Sequence, residues 1–183
     1  MPSADPATPS LIDLALARGA AQASWVTPAD IVVARWVRMK CEFGCGWYGK
    51  CAACPPNLPS IDECRELFAE YGRGLLLRFS SSVDVPEARH AWTREINESL
   101  LALERDVFLS GHPKALVFFV DPCNLCDSCA STRRGCHDKV RARPSPEGMG
   151  VDVFSTAEVA GMPLRVLTDY DQTMNRYSLL LVD

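Results

Sequence analysis

Nine cysteines in a chain of 183 residues constrain this sequence more than any other feature. Four of them, with the spacing C-x2-C-x2-C-x6-C, are Cys123, Cys126, Cys129 and Cys136. Three thiolates two residues apart can wrap three corners of an iron-sulfur cube, and a more distant fourth closes it, as in bacterial ferredoxins. A structural zinc site more often uses two cysteine pairs separated by a longer spacer. The run therefore predicts a four-iron, four-sulfur (4Fe-4S) cluster and favours it over zinc.

The last position of this run departs from the ferredoxin pattern. Six residues separate Cys129 from Cys136, and His137 rather than proline follows. Because the last cysteine of such a run ligates the other cluster in two-cluster ferredoxins, Cys136 can belong to either of two clusters. We interpret His137 and His112 as hydrogen-bond donors near a cluster rather than as ligands.

A second group of cysteines lies earlier in the chain, on a segment rich in glycine and proline. With the spacing C-x3-C-x5-C-x2-C, it consists of Cys41, Cys45, Cys51 and Cys54. Four thiols on a loop whose glycines permit tight turns can enclose one metal centre. We expect a second 4Fe-4S cluster here, with zinc as the less favoured alternative. Cys64 shares a face of a predicted helix with Phe68 and is interpreted as a small apolar residue.

The charge and hydropathy of the sequence indicate which partners and which cellular compartment to expect. The net charge of -4 gives no general attraction to nucleic acid or to anionic lipid. Asp13 and Arg18 interrupt the apolar stretch at residues 11–23, which argues against a secretory signal, and no other stretch approaches the ~20 apolar residues of a membrane span. We therefore expect a cytoplasmic protein, in which reduced thiols serve metal binding and not disulfides.

The pattern of apolar residues predicts a disordered lead-in at residues 1–9 and a single domain at residues 10–183. Its predicted class is α/β or α+β, a layered fold with a central mixed sheet flanked by helices. Predicted helices cover residues 10–21, 61–71, 86–109 and 156–160, the second of them behind a capping box at Ser60. Predicted strands cover residues 31–39, 75–79, 115–120, 164–167 and 177–182.

Five basic residues surround Cys136 in this acidic chain, and they are Arg133, Arg134, Lys139, Arg141 and Arg143. We interpret them as compensation for an anionic cluster or as a docking surface for an acidic redox partner, with an ordinary solvated loop as the alternative. No phosphate-binding glycine loop or dinucleotide fingerprint is present in the sequence. The predicted role is electron transfer to or from a redox enzyme, rather than autonomous catalysis.

Several segments resemble a known family. They are Trp47-Tyr48-Gly49-Lys50, Cys54-Pro55-Pro56, the run from Cys123 to Cys136, Ala142-Arg143-Pro144-Ser145 and Gly150-Val151-Asp152-Val153-Phe154. Together they resemble a cysteine-rich family of predicted metal-binding proteins of unknown function, domain of unknown function 2284, found largely in anaerobic prokaryotes. The resemblance implies metal binding and a role in anaerobic metabolism.

One departure from that family affects the first cysteine group. The family pattern lacks a cysteine at the position of Cys51 and commonly has one where this chain has Met149. On this comparison, Cys51 replaces the missing ligand and completes the first cluster. If it does not, Cys41, Cys45 and Cys54 leave one iron open to a substrate, which is the enzyme alternative. A zinc-stabilised interaction module is the second alternative.

Overall fold

The structure is a computed structural model and describes residues 9–82, 88–169 and 172–183. Within these ranges the helices are α1 (Leu11–Ala17), α2 (Arg35–Gly44), α3 (Ile61–Ala69), α4 (Ala88–Leu109) and α5 (Val153–Val159). The strands are β1 (Gln22–Val26), β2 (Gly74–Ser81), β3 (Leu116–Phe118) and β4 (Met174–Leu181), and a short 3-10 helix covers Pro28–Asp30. The α+β form of the predicted class is confirmed.

The four strands form one sheet in the order β1-β2-β4-β3. Its centre is the pair β2 and β4, in register from Gly74 opposite Leu181 to Ser81 opposite Met174. All three strand pairs are antiparallel, whereas a mixed sheet was predicted. The reason is that β4, the last strand in the chain, inserts between β2 and β3 and runs against both.

Apolar side chains cover both faces of the sheet. Successive residues of a strand point to opposite faces, so Leu75 packs with Leu100 of α4 while its neighbour Leu76 packs with Phe68 of α3. Helices α1 and α4 cover the first face, and α3 and α5 cover the second. The sheet is therefore the middle of three layers, and the cysteine motifs lie in the segments that connect them.

The helix predicted after Ser60 is confirmed together with its capping box. The Ser60 Oγ accepts a hydrogen bond from the Glu63 backbone N–H at 3.2 Å, and the Glu63 carboxylate accepts one from the Ser60 N–H at 2.7 Å. The helices predicted at residues 10–21 and 156–160 correspond to α1 and α5 with shifted ends. Residues 86–87 of the long predicted helix, and residues 1–8 of the predicted lead-in, lie outside the described residues.

Two strand predictions are wrong, and one strand was missed. Residues 31–39 were expected to be a strand, but helix α2 begins at Arg35. The apolar residues Trp36 and Met39 are about half exposed. The spacing of apolar residues in this segment therefore did not indicate which face is buried, and the pattern was mistaken for a strand. Residues 164–167 form neither helix nor strand, and β1 had not been predicted. In the described parts of the chain, no helix has the length and apolar character that crossing a membrane requires.

Candidate metal centres

The first cysteine site forms where helix α2 ends. Cys41 lies in its last turn, Cys45 is its C-cap residue, and Cys54 comes from the turns that follow. These three cysteines line one cavity of about 140 Å³, and the carboxylates of Asp121 and Glu147 line it as well. The structure brings Cys41, Cys45 and Cys54 together, and the two acidic residues are additions that the motif spacing did not indicate.

The second site gathers five cysteines around one small cavity. Four belong to the later run and the fifth comes from the earlier motif, and they are Cys51, Cys123, Cys126, Cys129 and Cys136. The Cys51 Sγ lies 3.7 Å from the Cys123 carbonyl oxygen, and the Ala52 N–H donates to the Cys129 Sγ at 3.4 Å. Cys51 therefore lies against the later run, although its sequence neighbours Cys45 and Cys54 line the first cavity.

The two sites adjoin through Cys51 and Cys54. Their thiols are hydrogen-bonded to each other, and this bond lowers the pKa of Cys51 to about 6. The same bond, together with burial, raises the pKa of Cys54 above its usual value. The lowered pKa favours the thiolate form of Cys51, which is the form that binds metals.

In the later cysteine run, burial raises the thiol pKa values, opposite to the shift at Cys51. It raises the pKa of Cys123 to about 11, and it also raises the pKa of Cys129. Burial likewise raises the pKa of Cys41 in the first site. These thiols are protonated at neutral pH, so a metal that binds them must displace protons.

Helix α4 fixes the start of the later cysteine run. The Asn97 amide accepts a hydrogen bond from the Val120 N–H at 3.1 Å and donates to the Val120 carbonyl at 3.3 Å. Asn97 also donates to the Asn124 side chain at 3.0 Å, and Arg94 donates to the Asn124 carbonyl at 2.7 Å. Asn97 is fully buried, so these bonds hold the segment around Cys123 against the core.

A second amide side chain ties the two cysteine loops together. Asn57 donates to the Cys51 carbonyl at 3.2 Å and to the Ser131 carbonyl at 2.8 Å. Between these loops Asp121 has the left-handed φ of 56°, which redirects the chain just before Cys123. Its carboxylate accepts a hydrogen bond from the Arg176 Nε at 3.0 Å.

The remaining candidates lie away from the two cavities. Cys64 and Met149 are buried in the apolar core on the α3 face of the sheet, and His112 is paired with Asp183. His137 lines the second cavity. Across the residues that the structure describes, no three histidine, cysteine or acidic side chains converge closely enough to hold a single metal ion.

The predicted basic surface is partly neutralised. Arg141 pairs with Glu98 at 3.0 Å and with Asp138 at 2.8 Å, and Arg143 pairs with Glu104 at 2.7 Å. The exposed basic side chains of Arg133, Arg134 and Lys139 remain around Cys136. The surface that can offer positive charge is therefore smaller than the sequence indicated.

Sequence reasoning missed Glu147 as a member of the first site. It follows the segment at residues 142–145 on which the family resemblance rests, in a tight turn that also contains Pro146 and Gly148. Its side chain is half-buried, and burial raises the pKa of its carboxyl group. An acidic residue next to the segment that carries the family resemblance was the available signal, but its position beside Cys41 depends on the fold.

A known protein family matches most of this chain. The model of a family described as predicted metal-binding protein (DUF2284) matches residues 24–182, which include both cysteine sites and all four strands except the first two residues of β1. No curated protein and no solved structure matches the chain.

Proposed function

Because this chain belongs to the DUF2284 family of predicted metal-binding proteins, we propose that it binds two 4Fe-4S clusters and transfers electrons inside the cell. The first centre would be held by Cys41, Cys45 and Cys54. The second would be held by four thiols from a set of five, namely Cys51, Cys123, Cys126, Cys129 and Cys136. A reducing compartment such as the cytoplasm suits nine cysteines, none of which forms a disulfide.

The observation that carries this proposal is the set of five thiols around one cavity. Free cysteines are ordinarily buried singly as small apolar residues, and nothing in apolar packing favours five of them together. Here they come from two loops that are 72 residues apart at Cys51 and Cys123. Thiolates are the ligands that iron-sulfur clusters use, so the donor set fits such a cluster.

The arrangement favours a cluster over a single zinc ion. A structural zinc ion requires four ligands that point to one centre at about 2.3 Å for each sulfur. No three candidate side chains among the described residues converge in that way. A cluster instead places a different iron at each thiolate, so its ligands are further apart.

The second cavity must widen to receive a cluster. Its volume is about 20 Å³, which is room for a single water molecule. The segment from residue 123 to residue 150 contains neither helix nor strand, so the cysteines can move outward without breaking a regular element. The bonds from Asn97 to Val120 and Asn124 would retain the start of the segment during this movement.

Bound clusters would supply one-electron oxidation and reduction. The surrounding protein groups would determine how solvent reaches the clusters and what their reduction potentials are. The Ala52 N–H donates to the Cys129 Sγ, and hydrogen bonds to ligand sulfur are among the factors that set cluster potentials. The contact between Cys51 and Cys54 makes the two sites neighbours, which suits passage of electrons between them.

A redox partner protein is part of this proposal. The exposed side chains of Arg133, Arg134 and Lys139 lie next to Cys136 of the second site. Positive charge at that place can steer an acidic partner toward the second centre.

Metal analysis of protein purified without oxygen tests the proposal directly. We expect a brown protein with about eight irons and eight sulfides per chain, reducible by dithionite. Stoichiometric zinc without labile sulfide would instead support a zinc-stabilised module and contradict the proposal.

One observation favours a second candidate function, an enzyme with an iron open to substrate. Cys51 lines the second cavity, which leaves three cysteines at the first. A further cavity of about 250 Å³ reaches Cys41 and Cys45 from the side of Trp36 and Phe154, large enough for a small molecule. A spectrum of the first centre that shifts when a small substrate analogue is added would favour this enzyme over the carrier.

A further inference from the structure

We propose that the carboxylate of Glu147 is the fourth protein ligand of the first centre, where it supplies an oxygen in place of a cysteine. This inference rests on the proposed function, since it assumes a metal centre at Cys41, Cys45 and Cys54. It makes the first centre chemically different from the second, which has thiols to spare.

The position of Glu147 in the molecule carries the inference. It lines the 140 Å³ cavity together with Cys41, Cys45 and Cys54. It also lines the 250 Å³ cavity on the other side of Cys41 and Cys45. Among the acidic residues that line these two cavities, Glu147 is common to both.

The turn that carries Glu147 is held firmly. The Gly148 N–H donates to the Ser145 Oγ at 3.1 Å, and the Gly150 N–H donates to the Glu147 carbonyl at 2.9 Å. At Gly150, φ is +83° and an added Cβ would collide with Ile61, so this position requires glycine. The backbone around Glu147 is therefore fixed by residues on both sides of it.

Arg38 connects this turn to the helix that carries Cys41. Its Nη2 donates to the Gly148 carbonyl at 2.9 Å and to the Pro59 carbonyl at 3.1 Å. Arg38 lies three residues before Cys41 in α2, so the two occupy adjacent positions on the helix surface. The same guanidinium thus connects the helix of Cys41 to the turn of Glu147.

The other carboxylate of this cavity has a different partner. Asp121 forms an ion pair with Arg176 at 3.0 Å and also lines the cavity. Glu147 is hydrogen-bonded to Ser145, a neutral residue that can orient a carboxylate without neutralising it. A carboxylate that is hydrogen-bonded to a hydroxyl keeps oxygen lone pairs with which it can bind an iron held by the adjacent thiols.

An oxygen ligand has a defined chemical consequence. Carboxylate is a harder ligand than thiolate, and iron held by thiolates prefers sulfur. An incoming small ligand can therefore displace Glu147 more readily than it can displace a cysteine. The 250 Å³ cavity beside Trp36 offers such a ligand a place next to the same thiols.

Mössbauer spectroscopy of anaerobically prepared, 57Fe-loaded protein tests the inference. In the native protein, about one eighth of the iron absorption should come from an iron with an oxygen ligand, corresponding to one iron of eight. Glu147→Cys should convert this component to the all-sulfur type without loss of iron. In Glu147→Ala, cyanide should perturb the spectrum at a concentration about tenfold lower than in the native protein.

A control variant separates ligation from general damage. Glu158→Gln changes an exposed glutamate of α5, away from both cysteine cavities. It should keep the native spectrum. A native protein with eight irons and eight sulfides but no oxygen-ligated iron overturns the inference and leaves the proposed function standing. A native protein without iron and sulfide overturns the proposed function itself.

Discussion

The backbone N–H of Ala52 donates a hydrogen bond to the Sγ of Cys129 at 3.4 Å, although 77 positions separate the two residues in the sequence. Ala52 is fully buried, so this contact lies inside the protein. It joins the earlier cysteine motif to the later one, and the two motifs form a continuous region. Variants in either motif can therefore affect the same centre.

Combining cysteine variants should reveal which centre Cys51 serves. We expect Cys51→Ala and Cys126→Ala each to keep most of the iron, because four of the five thiols of the second centre remain, and the double variant to lose the iron of this centre. Cys51→Ala together with Cys41→Ala should lose no more iron than Cys41→Ala alone, because the two residues line different cavities and the second centre keeps four thiols. Iron analysis of anaerobic preparations provides the measurement.

Cys64→Ala is the matched control for this series. Cys64 is as fully buried as Cys51 but lies in the apolar core. It should retain all iron and lose about 1 kcal/mol of unfolding free energy. Additive iron loss in the Cys51 and Cys126 double variant would assign Cys51 to the first centre instead.

Asn97→Ala should loosen the start of the later cysteine run. The substitution leaves the buried N–H and carbonyl of Val120 without the Asn97 partner, so we expect a loss of about 1–3 kcal/mol in unfolding free energy. Urea denaturation of the metal-free protein, followed by circular dichroism, measures it. Arg105→Gln on the exposed face of α4 should cost less than about 0.5 kcal/mol. Equal losses in the two variants would contradict the role of Asn97.

Asp183 should contribute stability that depends on pH. Burial acts to raise the pKa of its carboxyl, but hydrogen bonds from His112 and Arg73 outweigh burial and hold the pKa below 3.8. An acid with a depressed pKa in the folded state stabilises the fold above its unfolded pKa, and this stability is lost as pH falls through the folded pKa. The difference in Tm between the native protein and Asp183→Asn should be present at pH 7 and vanish at pH values well below 3.8. A difference that persists unchanged in acid would contradict this assignment.

Charge reversal at the basic surface tests the docking of a redox partner. Arg134→Glu with Lys139→Glu should slow reduction by an acidic flavodoxin on the order of tenfold at low salt, with little change at high salt. Iron content should not change. Stopped-flow absorbance records the rate, and Arg105→Glu, at an exposed position of α4, serves as the charge control. Equal slowing by Arg105→Glu would indicate a general effect of net charge.

The sequence predicted those elements whose signals are local. The capping box at Ser60 specified the start of α3, and helical spacing of apolar residues specified α4. Helix α2 escaped prediction because it buries one residue, Val37, and leaves its other apolar side chains in water. Its position depends on Arg38, whose hydrogen bonds reach residues 21 and 110 positions away.

In the candidate site, too, the sequence predicted the local features and missed those that depend on the fold. Spacing identified the cysteines but grouped Cys51 with its neighbours in sequence, because it cannot register the contact of Cys51 with Cys123. Glu147 escaped for the same reason, since α2 and the turn before α5 meet only in the folded chain. The sequence therefore identified the cysteines that can bind metal, but not the residues that each of them contacts in the folded chain.

The contact between Cys51 and Cys123 also bears on the entropy of the unfolded chain. A metal centre bound by both residues would close a loop of 72 residues that contains α3, β2, α4 and β3. By the relation used for disulfides, closing a loop of that length removes disorder worth about 4 kcal/mol from the unfolded state. The centre would thus cross-link this fold in a reducing compartment where a cystine bridge does not persist.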